Sequence, residues 1–447
     1  MLSLLAAFAL AKSEMITVDP SVKLQKWDGW GTSLAWWGNV VGQMPAVRDS
    51  LTARIFGYLK LNIVRYNIGG GENPAHRHMW PRAQMEGFLD AKGKWDWSRD
   101  AGQRWVLQRA KQLGANRFEA FSNSPPYFMT ISKCASGGRD GKPNLPASKV
   151  DAFADYLATV CEHFRTAWGI SFETLEPMNE PSATWWKFGG KQEGCRVPAG
   201  EEQSRLIEAV GHALAKRHSK THVSASDEND FDTAVKSWDA LSPEAKGLVW
   251  RIDTHAYSGT KQKELLQRAV AAKKELWVSE EGEKDSTGWT MAERIIKDLR
   301  EMMPTAWIDW QAIDQTGSGW GFIDMDVNGR KPGYVENKKL YVFANFSRFI
   351  APGSRFVSID DDQSISAIEG DKLVIVTLNR GAERFVHYDL SRFGRLGALH
   401  AYRTSAKENL AEIDAQLANG ARLDMLLPEG SITTIVVERP AALGRSG

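Results

Sequence analysis

Residues Ile170–Ser171–Phe172–Glu173–Thr174–Leu175–Glu176–Pro177–Met178–Asn179–Glu180–Pro181 decide the fold. The run from Ile170 to Leu175 reads as a short buried strand. Pro177 and Pro181 then stop regular structure, since neither has a backbone N–H to donate. Asn179 and Glu180 are therefore presented at a strand's end. A carboxylate held there, beside an amide that can grip a hydroxyl, suits a general acid/base. A solvated loop is the usual setting of an isolated Glu. It loses ground because a second candidate strand, Leu276–Trp277–Val278–Ser279, also ends in acid, at Glu280 and Glu281.

Working outward, eight strand-then-helix units start near Gly29, Asn62, Arg117, Ser171, His222, Arg251, Leu276 and Trp307. Helical stretches fall near 46–59, 100–113, 149–168, 201–217, 231–241, 261–274, 290–302 and 339–350. Eight such units predict a (β/α)8 TIM barrel over residues 27–350, with its active site at the C-terminal ends of the strands. Glu180 ends the fourth strand and Glu280 the seventh. Asn67, Asn123, His255, Tyr257 and Trp310 fall at the same level. Arg65 interrupts an apolar strand, Leu61 to Ile68, and buried Arg is rare unless paired with acid. It is expected to face a carboxylate cluster. After Pro352–Gly353, seven short alternating segments separated by turn residues predict an appended C-terminal β-sandwich over 351–447. A strand within 12–26 would join it.

Composition narrows the function. Lys and Arg number 56 and Asp and Glu 55, a net charge of +1, which gives no argument for a nucleic-acid or membrane-surface partner. The 18 Trp supply core and, at some positions, flat platforms for the C–H faces of sugar rings. Trp36 and Trp37 are platform candidates, with buried core an equal reading for either, and Trp185 and Tyr127 are further substrate-binding candidates. The three cysteines, Cys134, Cys161 and Cys195, form no C-x-x-C pair, and Cys134 could pair with Cys195. Residues 1–11 resemble a truncated signal segment ending Ala9–Leu10–Ala11, which predicts a secreted or periplasmic protein. His76 with His78 and the acid run Asp227–Glu228–Asn229–Asp230 lack ligand partners at defined spacing, so no metal and no cofactor are expected. The acid run reads as a solvated loop.

Two carboxylates across a barrel mouth, ringed by aromatics, fit glycoside hydrolysis. One must start protonated to aid the leaving oxygen, and the other ionised to attack the anomeric carbon. Hydrogen bonds from Arg65 and Tyr257 would keep one of them charged at low pKa. Glu280 and Glu281 face opposite sides of a strand, so only one points into the mouth, and periodicity does not choose. The choice between Glu176 and Glu180 is open in the same way, although Glu176 precedes a proline inside the strand and is more cramped.

Several motifs in order carry a resemblance: Asp28–Gly29–Trp30–Gly31, Val64–Arg65–Tyr66–Asn67, Ser122–Asn123–Ser124–Pro125–Pro126, Asn179–Glu180–Pro181 and Ser279–Glu280. Together with the barrel-plus-sandwich layout, the chain resembles glycoside hydrolase family thirty. Gly31–Thr32–Ser33–Leu34–Ala35–Trp36–Trp37 and Asn67–Ile68–Gly69–Gly70–Gly71 look most like its endo-β-1,6-galactanase branch. The resemblance implies a retaining hydrolase with Glu180 as acid/base and Glu280 as nucleophile. Asn179 would hold the sugar 2-hydroxyl, Arg65 and Tyr257 would set the nucleophile, and Trp310 would lie under the ring. It implies β-1,6-galactan side chains of arabinogalactan as substrate. A monomer is expected, with no protein partner named by the residues. Other specificities in the family cover β-1,6-glucan, glucuronoxylan, glucosylceramide and terminal fucosides. A carbohydrate-binding barrel without turnover is a reading from another class.

Overall fold

The computed structural model describes residues 14–440. The leader-like stretch 1–11 lies outside them. The chain divides into two compact units. One comprises Gly29–Ser286 and Glu301–Asn337. The other takes the residues through Asp28, Thr287–Arg300, and the chain from Lys338 on.

The first unit holds a closed barrel of eight parallel strands. With β1 reserved for Glu14–Lys26, these are β2 (Gly29–Ser33), β3 (Ile63–Asn67), β4 (Arg117–Phe121), β5 (Thr174–Glu176), β6 (His222–Glu228), β7 (Val249–His255), β8 (Glu275–Glu281) and β9 (Ala306–Asp309). Each pairs with the next, and β9 returns to β2 through Gly29↔Ala306 to Thr32↔Asp309. Strands covered on both faces read as nearly continuous apolar runs. In β3 even Arg65 is fully buried. Helix Val150–Trp168 buries Phe153, Tyr156, Leu157, Val160, Cys161 and Phe164, a helical stripe, and ends at Gly169 in the left-handed conformation.

Two departures from the sequence reading matter. The helix expected over 46–59 is split into Arg48–Thr52 and a π-helical run Ala53–Tyr58, and a separate short helix, Trp37–Gly42, precedes it. Gly42 abuts Gly102, whose carbonyl oxygen would sit 1.9 Å from any added Cβ, so two helices approach at bare backbone. The connection after β9 carries a small sheet of its own: β10 (Ile313–Gln315), parallel to β11 (Ile323–Met325), which pairs antiparallel with β12 (Tyr334–Glu336). Three-residue strands are too short to leave a periodicity.

The second unit is a mostly antiparallel sheet domain. Its strands are β1, β13 (Arg355–Ile359), β14 (Ser364–Glu369), β15 (Lys372–Asn379), β16 (Arg384–Asp389), β17 (Leu399–Thr404), β18 (Ala411–Ile413), β19 (Leu417–Asn419), β20 (Arg422–Leu427) and β21 (Ser431–Glu438). They run in the order β18-β17-β21-β15-β14-β13-β1-β16-β20-β19. The first residues of β1 pair parallel with β16, and those from Val18 pair antiparallel with β13 through two register shifts. That slip lets one strand serve two layers. Ile16, Val18, Ile375, Tyr388, Leu423 and Ile435 pack into one core between them. Along β20, Leu423, Met425 and Leu427 are buried while Leu426 is exposed, the alternation of a half-covered strand.

Candidate active site

The site is built around Arg65, on β3. A guanidinium stripped of water is untenable without partners, and this one has several. Nε donates to Glu119 Oε1 at 3.0 Å and Nη2 to Asp227 Oδ2 at 2.6 Å. Nη1 donates to Glu280 Oε2 at 2.9 Å and to Ser33 Oγ at 3.1 Å. Its face lies 4.0 Å from the Phe121 ring centre. Deeper in the barrel, Arg251 ties Glu119 to Asp253. Five strands thus contribute to one buried ionic network.

Glu280 rises from this network into the barrel mouth. Tyr257 donates its hydroxyl to Oε1 at 2.8 Å, opposite the Arg65 bond to Oε2. Glu281, its neighbour, does not line the pocket. Glu180 stands at the end of β5, with its backbone in the left-handed region at φ 47°. Its N–H donates to the Asp227 carbonyl at 2.8 Å, and Trp186 Nε1 donates to its carbonyl at 3.0 Å. Its carboxylate accepts from Asn229 Nδ2 at 2.7 Å and from Trp185 Nε1 at 3.2 Å. Glu176, the alternative on the same strand, is fully buried, and neither of its oxygens has a hydrogen-bond partner among the described residues. Burial and the charges of Asp227 and Asp253 hold it well above the usual carboxylate range.

His255 sits between the two acids. Its Nδ1 lies 3.3 Å from Glu180 Oε1 and 3.3 Å from Glu280 Oε1, and Nε2 lies 3.2 Å from Asp227 Oδ1. Reactive atoms of Glu180, His255 and Glu280 all fall within 4.8 Å of one another. This matches the roughly 5–5.5 Å between carboxyl groups that lets one of them attack carbon directly. Burial alone would depress His255, but Glu280 and Asp227 lift it to about 10. A protonated imidazole offers a cation no lone pair, so this trio is poorly suited to hold a metal. Asp227 runs the other way. Burial would raise it, yet Arg65 and His255 bring it down to about 2. For Glu280, burial exceeds the opposing pull of His255 and Arg65, so its pKa is raised. The sequence reading expected the carboxylate under Arg65 and Tyr257 to be depressed. Complete burial of the carboxyl reverses that expectation.

The two acids open into a pocket of about 370 Å3 whose lining includes Asn123, Asn179, Trp186, Tyr257, Trp310 and Trp320. A sequence profile of O-glycosyl hydrolase family 30 matches residues 13–240. The chain belongs to glycoside hydrolase family 30. It is 35% identical over 414 residues to an endo-beta-1,6-galactanase of Hypocrea rufa, covering 86% of this chain and 85% of that protein. An exo-beta-1,6-galactobiohydrolase of Bifidobacterium longum is 24% identical over 571 residues, covering 91% of this chain and 37% of that one. In fold, the chain is like a conserved exported protein from Bacteroides fragilis, with a TM-score of 0.82, 21% identity, and 95% of this chain and 100% of that chain covered. It is also like the catalytic domain of GH30 xylanase C from Talaromyces cellulolyticus, with a TM-score of 0.74, 21% identity and the same coverage. The protein is a glycoside hydrolase, and a polysaccharide-acting one by its family.

The family 30 pocket does not gather every residue singled out from sequence. Glu180, Glu280, Asn179, Tyr257, Asn123 and Trp310 line it, and Arg65 and His255 touch its acids from below. Asn179 is buried, and its Oδ1 makes no hydrogen bond within the described residues. Asn123 is braced by Asn67, which in turn donates to Glu193. Trp185 is half exposed and touches Glu180 through its N–H. Trp36 and Trp37 are not sugar platforms. They are 1% and 0% exposed. Trp36 packs edge-on behind Trp310 at 5.9 Å, and Trp37 stacks on Phe56 while donating to the Ser33 carbonyl. Tyr127 lines a different, polar cleft of about 420 Å3 with Glu72, Arg77 and Glu86.

The acid run 227–230 also needs correction. Asp227 and Glu228 are buried, Asn229 holds Glu180, and Asp230 caps the helix Phe231–Ala240 by accepting from the Thr233 N–H. The three cysteines are free, so Cys134 and Cys195 are not paired. Among the described residues no helix is long and apolar enough to cross a membrane. Sequence reasoning missed Trp80, Arg82, Gln192, Gln311, Asp314 and Trp320 in the pocket wall. Gln311 and Asp314 follow the last barrel strand and were not singled out there, while Trp80, Arg82, Gln192 and Trp320 sit in long connections that no strand end marks.

Proposed function

We propose that this family 30 enzyme is an endo-acting β-1,6-galactanase. In this reading Glu280 is the nucleophile and Glu180 the acid/base of a double displacement. The observation that carries it is the convergence of Glu180 and Glu280 within 4.8 Å at a Trp-lined pocket. The β-1,6-galactosyl step is supported by the relative at 35% identity.

In the first step Glu280 attacks the anomeric carbon. The bond to the leaving sugar breaks, and the Glu180 proton passes to its oxygen. In the second step Glu180 takes a proton from water, the oxygen attacks the same carbon, and the ester to Glu280 breaks. Two inversions leave the anomer unchanged. Asn179 Oδ1 is suited to accept from the 2-hydroxyl, and Trp310 to lie under the ring. Charge-assisted bonds from Arg65 and protonated His255 oppose the upward pull of burial on the Glu280 carboxyl and orient it for attack. Asn229 Nδ2 and Trp185 Nε1 donate to the Glu180 carboxyl and fix its place at the pocket. The natural substrate would be the β-1,6-galactan side chains of arabinogalactan, cleaved by a secreted or periplasmic monomer. The exported neighbour in fold supports the location.

The test is a panel of β-1,6-galactan, β-1,6-glucan, glucuronoxylan and β-1,3-galactan, with product sizes resolved and the product anomer followed by NMR. β-1,6-Galactan should give a ladder of oligosaccharides that appear first as β-anomers. Preference for another polymer, disaccharide products alone, or initial α-anomers would each overturn part of the reading.

A further inference from the structure

Two charged side chains line the same pocket yet take no part in the ionic network beneath it. Arg82 lies in the connection after β3, and Asp314 lies on β10, after the last barrel strand. Their side chains are 11% and 3% exposed and are in ion contact with each other. The Arg82 guanidinium lies 5.3 Å from the Trp80 ring, which also lines the pocket. Beyond these contacts the pair is bare. Arg82 Nη1 and Asp314 Oδ1 face only each other, and Arg82 Nε makes no hydrogen bond within the described residues.

That is unusual chemistry for a buried pair. A guanidinium carries five N–H donors, and buried polar atoms are normally satisfied. Arg65 is the contrast in the same barrel, since each of its nitrogens donates to a named oxygen. Burial lowers Arg82 to about 10, so it keeps its charge at neutral pH. A donor fork beside a carboxylate acceptor, set among aromatic faces, matches what a sugar ring presents: hydroxyls that both donate and accept, and apolar C–H patches between them. Aromatic faces alone tell closely related rings apart weakly. A buried polar group left unpaired by the wrong ring discriminates far more.

We propose that Arg82 and Asp314 read the ring hydroxyls of the bound sugar and set the choice between β-galactosyl and β-glucosyl substrates. The proposal deepens the galactanase reading and rests on it for the identity of the preferred ring. Galactose and glucose differ in the direction of one hydroxyl. A directed donor–acceptor pair senses direction, whereas Trp310 and Trp320 sense area.

The test uses Arg82→Lys and Asp314→Asn in the full chain, with kcat/KM measured on β-1,6-galactotetraose and β-1,6-glucotetraose. The galactosyl-to-glucosyl ratio should fall by about 10–100-fold, the worth of a hydrogen bond to a charged group. The pH profile and the retained product anomer should not change. A ratio within about twofold of wild type, or an equal loss on both substrates, overturns the proposal. Should the variants fail to fold, the wild-type enzyme answers with 3- and 4-deoxygalactosyl substrates. At least one should lose about tenfold, and no loss at either overturns it. Failure of the galactanase reading is separate, because it shows as a wild type inactive on β-1,6-galactan. The pair is then tested by the same ratio on whichever β-linked substrate is cleaved and its epimer.

Discussion

The floor and the wall of the pocket are built on opposite plans. On the floor, Arg65, Asp227, Glu119 and His255 are buried in one bonded network, in which Glu280 and Asp227 lift His255 to about 10 and Arg65 and His255 bring Asp227 down to about 2. On the wall, Trp80 is part-exposed and Arg82 and Asp314 face each other, while half-exposed Trp185 reaches Glu180 from outside the lining. The floor fixes charge where a bond is to break. The wall leaves polar atoms free for whatever enters. Substitutions on the floor should therefore damage turnover or folding for every substrate. Those on the wall should change which substrate is preferred, at little cost to the fold.

The largest effect is expected at Glu280. Glu280→Gln should lower turnover by about 10^4-fold or more while the protein still binds oligosaccharide. Glu280→Gly with azide should restore cleavage of an activated β-glycoside and yield an α-glycosyl azide. Undiminished hydrolysis by either variant would remove the nucleophile from residue 280. Next is Arg65→Met, which keeps bulk but strands three acids. It should cost about 3–5 kcal/mol of stability in urea titrations. A cost near zero would mean the floor is not held by its charges.

The third test is pH. His255 has a folded pKa of about 10 against an ordinary 6.5, so its contribution is complete below 6.5 and lost as pH climbs to 10. Asp227, at about 2 against 3.8, contributes above 3.8 and fails as pH drops toward 2. Stability should plateau between these limits. His255→Gln should flatten the alkaline limb, by an amount on the order of a few kcal/mol. An unchanged limb would assign the alkaline loss elsewhere. The smallest effect belongs to the wall. Trp185→Phe keeps the ring but removes the N–H donated to Glu180. It should reduce kcat by less than about tenfold, with unaltered thermal stability. A loss as large as at Glu280 would erase the division between floor and wall.

Much of the floor was legible from sequence, because a barrel puts strand ends in one plane and the acids stand at those ends. Arg65 announced itself as a charge inside an apolar strand. What could not be read was pairing. Asp227 lies 162 positions from Arg65, and a run of four polar residues looks the same whether its carboxylates face water or a guanidinium. Trp36 and Trp37 carried no mark of burial, since a Trp beside glycines serves a core or a surface equally well. The wall was hardest. Arg82 lies in a connection without regular strands, and Asp314 sits on a strand three residues long, so neither local pattern nor period points to them.

The backbone of Glu180 has one further consequence. A side chain beyond Cβ in the left-handed region costs about 1 kcal/mol or more relative to glycine. The hydrogen bonds from Trp186 and to Asp227 keep it there regardless. The residue assigned to proton transfer is thus a standing thermal liability. Directed evolution rewarding heat resistance alone should drift toward glycine at this codon, and would be selecting a sturdier, inert barrel.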